Sequence, residues 1–243
     1  LERSLGVGAS KRYDIAAAYL TSGNRPPVSS ISEARQVLRS SAVRRDDGGA
    51  PQRIEQALDF LRTLQSKERL PKARNVDDLI GGEWLLGFTT SGKSISFAPP
   101  EAAMQIGKAV ATAAVEKGRQ LDDGGGAARS RPYERLTPGP VGLIQTKGSL
   151  ALSIDEPGGG GGAAVVAGGG GKPRQAESVS LRLGVEERRL GPFPLPGAKE
   201  EDESVLLLDT LMCVTRPLSI AGVDYCVYVR PTMARSQAAL DDD

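Results

Sequence analysis

The residues able to carry chemistry in this 243-residue chain are few: thirty carboxylates, two cysteines (Cys213 and Cys226) and no histidine. Lack of histidine removes the commonest general base, the commonest metal ligand and any Ser-His or Cys-His nucleophile. Two cysteines cannot by themselves complete a tetrahedral zinc site, so no structural metal is expected. The pair Gly171-Lys172 invites comparison with a phosphate-binding loop. However, Val166 stands where the first glycine of that motif belongs, and Pro173 replaces its Ser or Thr. The glycine runs 158–162 and 168–171 therefore read as a flexible linker. The acidic run Glu200–Glu203 reads, with 192–197, as an exposed loop, since a calcium site would need ligands held at suitable spacing in a turn. Asp209 and Asp224 each find a structural partner in the hairpin described below. No catalytic residue is assigned, and an enzyme is the least favoured class.

Composition sets the scale of whatever positions these residues. Thirty-one basic against thirty acidic residues leave a formal net charge of +1, which gives no broad electrostatic footprint for nucleic acid or an anionic surface. With 30 glycines, 16 prolines and 4% aromatics, the core is expected to be smaller than the length suggests. No apolar run of about 18 residues is present, so no membrane-spanning helix is expected.

The first third reads as helical. Tyr13–Leu20 is Ala-rich, Ser30 and Glu33 form a capping-box pattern before Ala34, Val37 and Leu38, and Pro51 opens a stretch with Ile54, Ala57, Leu58, Leu61 and Leu64 on one face. Residues 71–78 read as a polar connector. From 79 to 91 the chain reads as a buried strand carrying the only Trp: Gly81 and Gly82 precede Trp84, Leu85, Leu86 and Phe88. Pro99 and Pro100 then precede an Ala-rich segment, 101–118, that reads as a helix. Residues 122–131 read as a charged loop. Short strands are expected at 141–145 and 150–154, separated by a turn at Lys147-Gly148, and Val179, Leu181, Leu183 and Val185 alternate as a strand with one wet face.

The last two strands form a hairpin. Pairing Arg216 with Val223 sets Val214 opposite Tyr225, Met212 opposite Val227 and Thr210 opposite Val229, making one apolar face. The other face then carries Thr215 with Asp224, Cys213 with Cys226, Leu211 with Tyr228 and Asp209 with Arg230. Directly opposed cysteines are rarely at relaxed disulfide geometry, so two neighbouring free thiols are expected.

Gly82, Trp84, Thr90 and Ser91 match a Gly-x-Trp strand ending in Thr-Ser. Leu208, Asp209, Val214, Arg216, Gly222 and Arg230 match a Leu-Asp-x-x-Leu-Arg-Ile-x-Arg strand with its following hairpin. Together these segments resemble the plastid lipid-associated protein (fibrillin) family, although Cys213 stands where that family usually has Arg. The resemblance implies an α+β fold, an antiparallel lipocalin-like β-barrel with an N-terminal helical segment and an inserted helix. It divides the chain into a helical region 1–75, a barrel domain 76–230 with a low-complexity insertion 156–175, and a tail 231–243. Leu1 in place of Met would fit removal of a transit peptide.

The function implied is that of a non-enzymatic plastid protein, peripherally associated with thylakoids, that binds a lipid, quinone or carotenoid and has no covalent cofactor. Trp84, Leu86, Phe88, Met212, Val214, Tyr225 and Val227 are the cavity candidates, although Trp84 reads first as a core plug at the barrel end. Gly82, Asp209, Arg216, Gly222 and Arg230 are assigned structural roles. The alternative is an accessory subunit docked on a photosystem or light-harvesting complex, its barrel degenerate and filled. Partners are then the thylakoid surface or such a complex, and no nucleic acid.

Overall fold

The computed structural model describes residues 27–48, 50–108, 110–111, 129–139, 141–155, 176–197, 199–218 and 222–232. The expected helix at Tyr13–Leu20, the poly-glycine segment and the tail beyond 232 lie outside the described residues.

Helix α1 spans Ile31–Arg44 and begins as its capping pattern dictates, with Ser30 Oγ accepting from the Glu33 amide at 3.1 Å. The return bond of the box falls one residue early, from the Ser29 amide to Glu33 Oε2 at 3.1 Å. Helix α2, Pro51–Thr63, has Pro in its first turn and buries Ile54, Ala57, Leu58 and Leu61, the face its spacing predicts. A single turn, α3 (Ser66–Arg69), leads to α4 (Ala73–Ile80), where a polar connector was expected. Ala73, Val76 and Ile80 form a narrow buried stripe; the charged residues between them disguise it.

The strands are β1 (Gly82–Ser91), β2 (Ser94–Phe97), β3 (Ala103–Ile106), β4 (Val110–Ala111), β5 (Arg129–Gly139), β6 (Gly142–Asp155), β7 (Ser178–Leu190), β8 (Phe193–Pro194), β9 (Glu200–Leu208), β10 (Met212–Pro217) and β11 (Tyr225–Val229). Neighbours run β1-β3-β5-β6-β7-β9-β10-β11, and β11 pairs back onto β1 from Leu85↔Val229 to Thr90↔Tyr225. The result is a closed antiparallel barrel of eight strands, so its wall has no free edge. β2 extends β1, β4 lies on β5, and β8 on β7.

Several local expectations are corrected. The inserted helix is absent from 103 to 106, which is strand β3, paired with Gly82–Leu85 on one side and Tyr133–Leu136 on the other. Its burial alternates, with Met104 and Ile106 inside and Gln105 out, a period-2 pattern hidden among helix-favouring alanines. The 112–118 part of that segment is outside the described residues. The strands expected on either side of Lys147-Gly148 are one strand, β6, with a bulge rather than a turn at that pair. The acidic run is not an exposed loop: it opens strand β9, with Glu201 and Glu203 buried.

Two apolar cores result. One fills the barrel and includes Trp84, Leu86, Met104, Leu150, Leu181 and Tyr228, with α4 closing one end. The other lies between the barrel's outer wall and helices α1 and α2, joining Leu38, Ile54 and Leu61 to Phe88, Val214 and Val227. A bulge between Leu86 and Phe88 transfers β1 from the first core to the second. At that bulge Gly87 lets α1 approach: a Cβ there would stand within 2.6 Å of Ala42 Cα.

Candidate functional site

The polar centre of the molecule lies inside the barrel. Arg135 projects from β5 across the interior to two carboxylates on β9, a strand that is not its neighbour. Its Nη1 donates to Glu203 Oε1 at 2.6 Å, and its Nη2 is paired with Glu201. Arg188, on β7, completes the set by pairing with the other oxygen of Glu201. The Arg135, Glu201 and Glu203 side chains are only 4%, 6% and 1% exposed, so the pairing is required: any one of these charges alone would be strongly disfavoured there. Burial lowers the affinity of the Arg135 guanidinium for its proton, but Glu203, Tyr228 and Glu201 more than offset this and its pKa is raised.

Around this network sit polar atoms with no hydrogen-bond partner among the described residues, Tyr133 Oη, Arg135 Nε and Glu203 Oε2, and the Tyr228 and Thr215 hydroxyls, whose hydrogen-bonding neighbour is the Cys226 thiol. Burial pushes the Tyr133 hydroxyl up to about 12, and burial followed by Cys226 and Glu203 raises that of Tyr228. Cys213 and Cys226 are free and buried on the same interior. Burial, then the Glu203 carboxylate, pushes the Cys226 thiol up to about 12 and raises Cys213 as well. Both therefore stay as thiols near neutral pH, which makes them poor nucleophiles. Buried hydroxyls, a guanidinium N–H and a carboxylate oxygen left unpaired in one interior can bind and orient polar groups. They do not form a nucleophile with an adjacent general base. Among the described residues no cluster of three His, Cys, Asp or Glu is placed to hold a metal ion.

The residues named as cavity candidates divide between the two cores. Trp84 and Leu86 face the barrel interior, whereas Phe88, Met212, Val214 and Val227 lie on the outer wall beneath the helices, with Tyr225 packed at its margin. They do not line one cavity. Alternation along β10 and β11 was read correctly, but which side of the barrel each face takes depends on closure, which a hairpin alone does not specify. The register also differs by two residues from that expected, with Met212 opposite Val229, Val214 opposite Val227 and Cys213 opposite Tyr228. Cys226 consequently faces Thr215 rather than Cys213.

Asp209 and Arg230 do not pair. Asp209 Oδ1 accepts from the Leu211 and Met212 amides, both at 2.8 Å, shaping the β9–β10 turn, while Oδ2 lies 3.4 Å from Arg35 Nε on α1. Arg230 turns to the other motif strand. It donates to Leu79 O at 2.6 Å and Glu83 O at 3.1 Å, and its guanidinium covers the Trp84 ring. Gly82 makes room for it, because its φ is 95° and a Cβ there would stand 2.8 Å from Arg230 Nη1. Gly222, at φ 80°, serves the β10–β11 turn. Arg216 and Tyr225 help line an external groove of about 450 Å³ between α2 and the strand ends, with Ile54, Leu58 and Ile95 as its apolar part.

Sequence reading missed the whole interior charge network. A signal was present: Glu201, Glu203 and Val205 alternate with Glu200, Asp202 and Ser204, a strand pattern whose inward positions are acidic. Comparison of the chain with protein-family models, curated proteins and solved structures returned no match.

Proposed function

We propose that this chain is a non-enzymatic, fibrillin-like barrel of the plastid that serves as an accessory subunit docked on a photosynthetic complex at the thylakoid. The motif residues around Gly82–Ser91 and Leu208–Arg230 support the family reading, and their strands β1 and β11 are direct neighbours in the wall. The observation that carries the choice of subunit over carrier is the Arg135–Glu201–Glu203 network spanning the barrel interior. A lipid, quinone or carotenoid held inside would have to pack against buried charges, where a dry uncharged lining is needed.

The carrier reading has one foothold, the groove beside α2 with its Ile54, Leu58, Ile95 and Tyr225 surfaces. Mild extraction of the native protein, followed by identification of co-migrating subunits, pigments and lipids, separates the two. Stoichiometric migration with a photosystem or light-harvesting complex supports the subunit. Free protein loaded with a single hydrophobic ligand sinks it.

A further inference from the structure

We infer that the paired tips of the β5–β6 and β7–β8 hairpins form a contact surface for the uncharged part of a lipid bilayer. Pairing of β7 with β9 ends at Gly184↔Glu200, yet β7 continues to Leu190, so this corner of the barrel stands out as an arm. The two tips are side by side, since Ile144 near one pairs with Leu190 at the other. Val141 and Phe193 at the tips are 77% and 68% exposed, the two most exposed large hydrophobic side chains among the described residues, and they stand on adjoining hairpins.

Sequence around them is free of charge from 136 to 146 and from 190 to 198. Exposed Pro138, Pro192, Pro194 and Pro196 also remove backbone N–H groups from this surface, which lowers the cost of taking it out of water. Behind the tips the arginines and a lysine are already engaged: Arg188 with Glu201, Arg189 with Glu187, and Lys147 with Glu134. Lys199 at the base of the arm is exposed, but the exposed Glu186 and Glu200 lie on the same segments, so the arm presents no cluster of cations for anionic headgroups and neutral lipid is the matching surface.

A protein partner fits less well. Stable protein interfaces bury about 800 Å² on each side with shape complementarity, whereas two exposed apolar side chains and their flanking prolines at hairpin tips offer on the order of a few hundred Å². A bilayer accepts a convex apolar tip without complementary shape.

The test uses the purified full chain with phosphatidylcholine vesicles, so its failure leaves the subunit proposal untouched. Flotation of the wild type is expected, unchanged by salt, with Phe193→Ser/Val141→Ser partitioning at least about tenfold more weakly. Both positions are solvent-exposed, and unchanged emission from buried Trp84 confirms that the double variant is folded. In a Phe193→Trp chain, brominated phosphatidylcholine should quench the added fluorescence while leaving that of Trp84. The inference is overturned if the wild type does not float, as expected for a tip that meets protein. It is equally overturned if the double variant floats as well as the wild type, or if the Phe193→Trp chain is not quenched.

Discussion

The guanidinium carbon of Arg230 lies 3.6 Å from the centroid of the Trp84 ring, joining the residue after the last barrel strand to the start of the first. The same group donates to two backbone carbonyls, so it acts as a clasp rather than as a surface charge. Burial lowers its pKa. Arg230→Ala should cost about 2 kcal/mol, from a partly desolvated cation–π contact and lost hydrogen bonds. Lysine should recover only part, since it lacks the planar fork that reaches both carbonyls over the ring. Urea denaturation measures the loss, and the lone tryptophan should change its emission. An unaltered midpoint and spectrum would refute the clasp.

Arg135 offers a sharper contrast. Arg135→Met leaves Glu201 and Glu203 facing each other in the interior and should cost about 3–5 kcal/mol. Adding Glu201→Gln and Glu203→Gln to that change removes both buried carboxylates, leaves only Arg188, which at 19% exposure can still reach water, without its ion pair, and should restore much of the stability at neutral pH. Thermal melts of the two variants decide the matter. A triple variant no better than Arg135→Met shows that packing, not charge, was lost.

Gly87 tests how α1 is docked. Gly87→Ala forces a methyl against Ala42 and should cost about 1–3 kcal/mol through overpacking. Ala42→Gly should weaken the wild type by roughly 0.5–1 kcal/mol but partly rescue Gly87→Ala. Additive losses in the double-mutant cycle would mean that the two positions do not touch.

Glu33 gives a pH dependence. The Ser29 amide, and then Arg53, hold its carboxyl below the ordinary 4.5. A lowered folded-state value means that its contribution is present above the ordinary carboxyl range and is lost as pH falls through the lowered one. The stability gap between wild type and Glu33→Gln should therefore be widest above pH 4.5 and close progressively in more acidic buffer. A gap that widens on acidification contradicts this cap.

Elements whose signals are local could be read from the chain. Ser30 and Glu33 mark a helix start wherever they occur, and Ile54, Ala57, Leu58 and Leu61 mark a buried helical face without reference to the rest of the fold. The alternation in β7, β10 and β11 was equally visible. What escaped depended on distant partners. β3 is a strand because β1 and β5 flank it, against the helical preference of its alanines. Glu201 and Glu203 are interior because Arg135 meets them from across the barrel, and no window of sequence around 200 contains that arginine. The register of β10 and β11 is set jointly with β9 and β1, each pairing carrying a bulge, so a hairpin considered alone gave the alternation but not the alignment.

Closure of the wall by β11 on β1 also constrains the order in which the molecule can form. The bond from Arg230 to Glu83 spans 147 positions, and the strand pairing beside it is of similar reach. Until the segment around 225–229 has left the ribosome, β1 and β10 remain unpaired edges and the outer apolar positions of the wall are incomplete. A nascent chain of this topology is therefore exposed to edge-to-edge association until that segment emerges, and the slowest step in the barrel's folding is expected to be the return of β11 to β1.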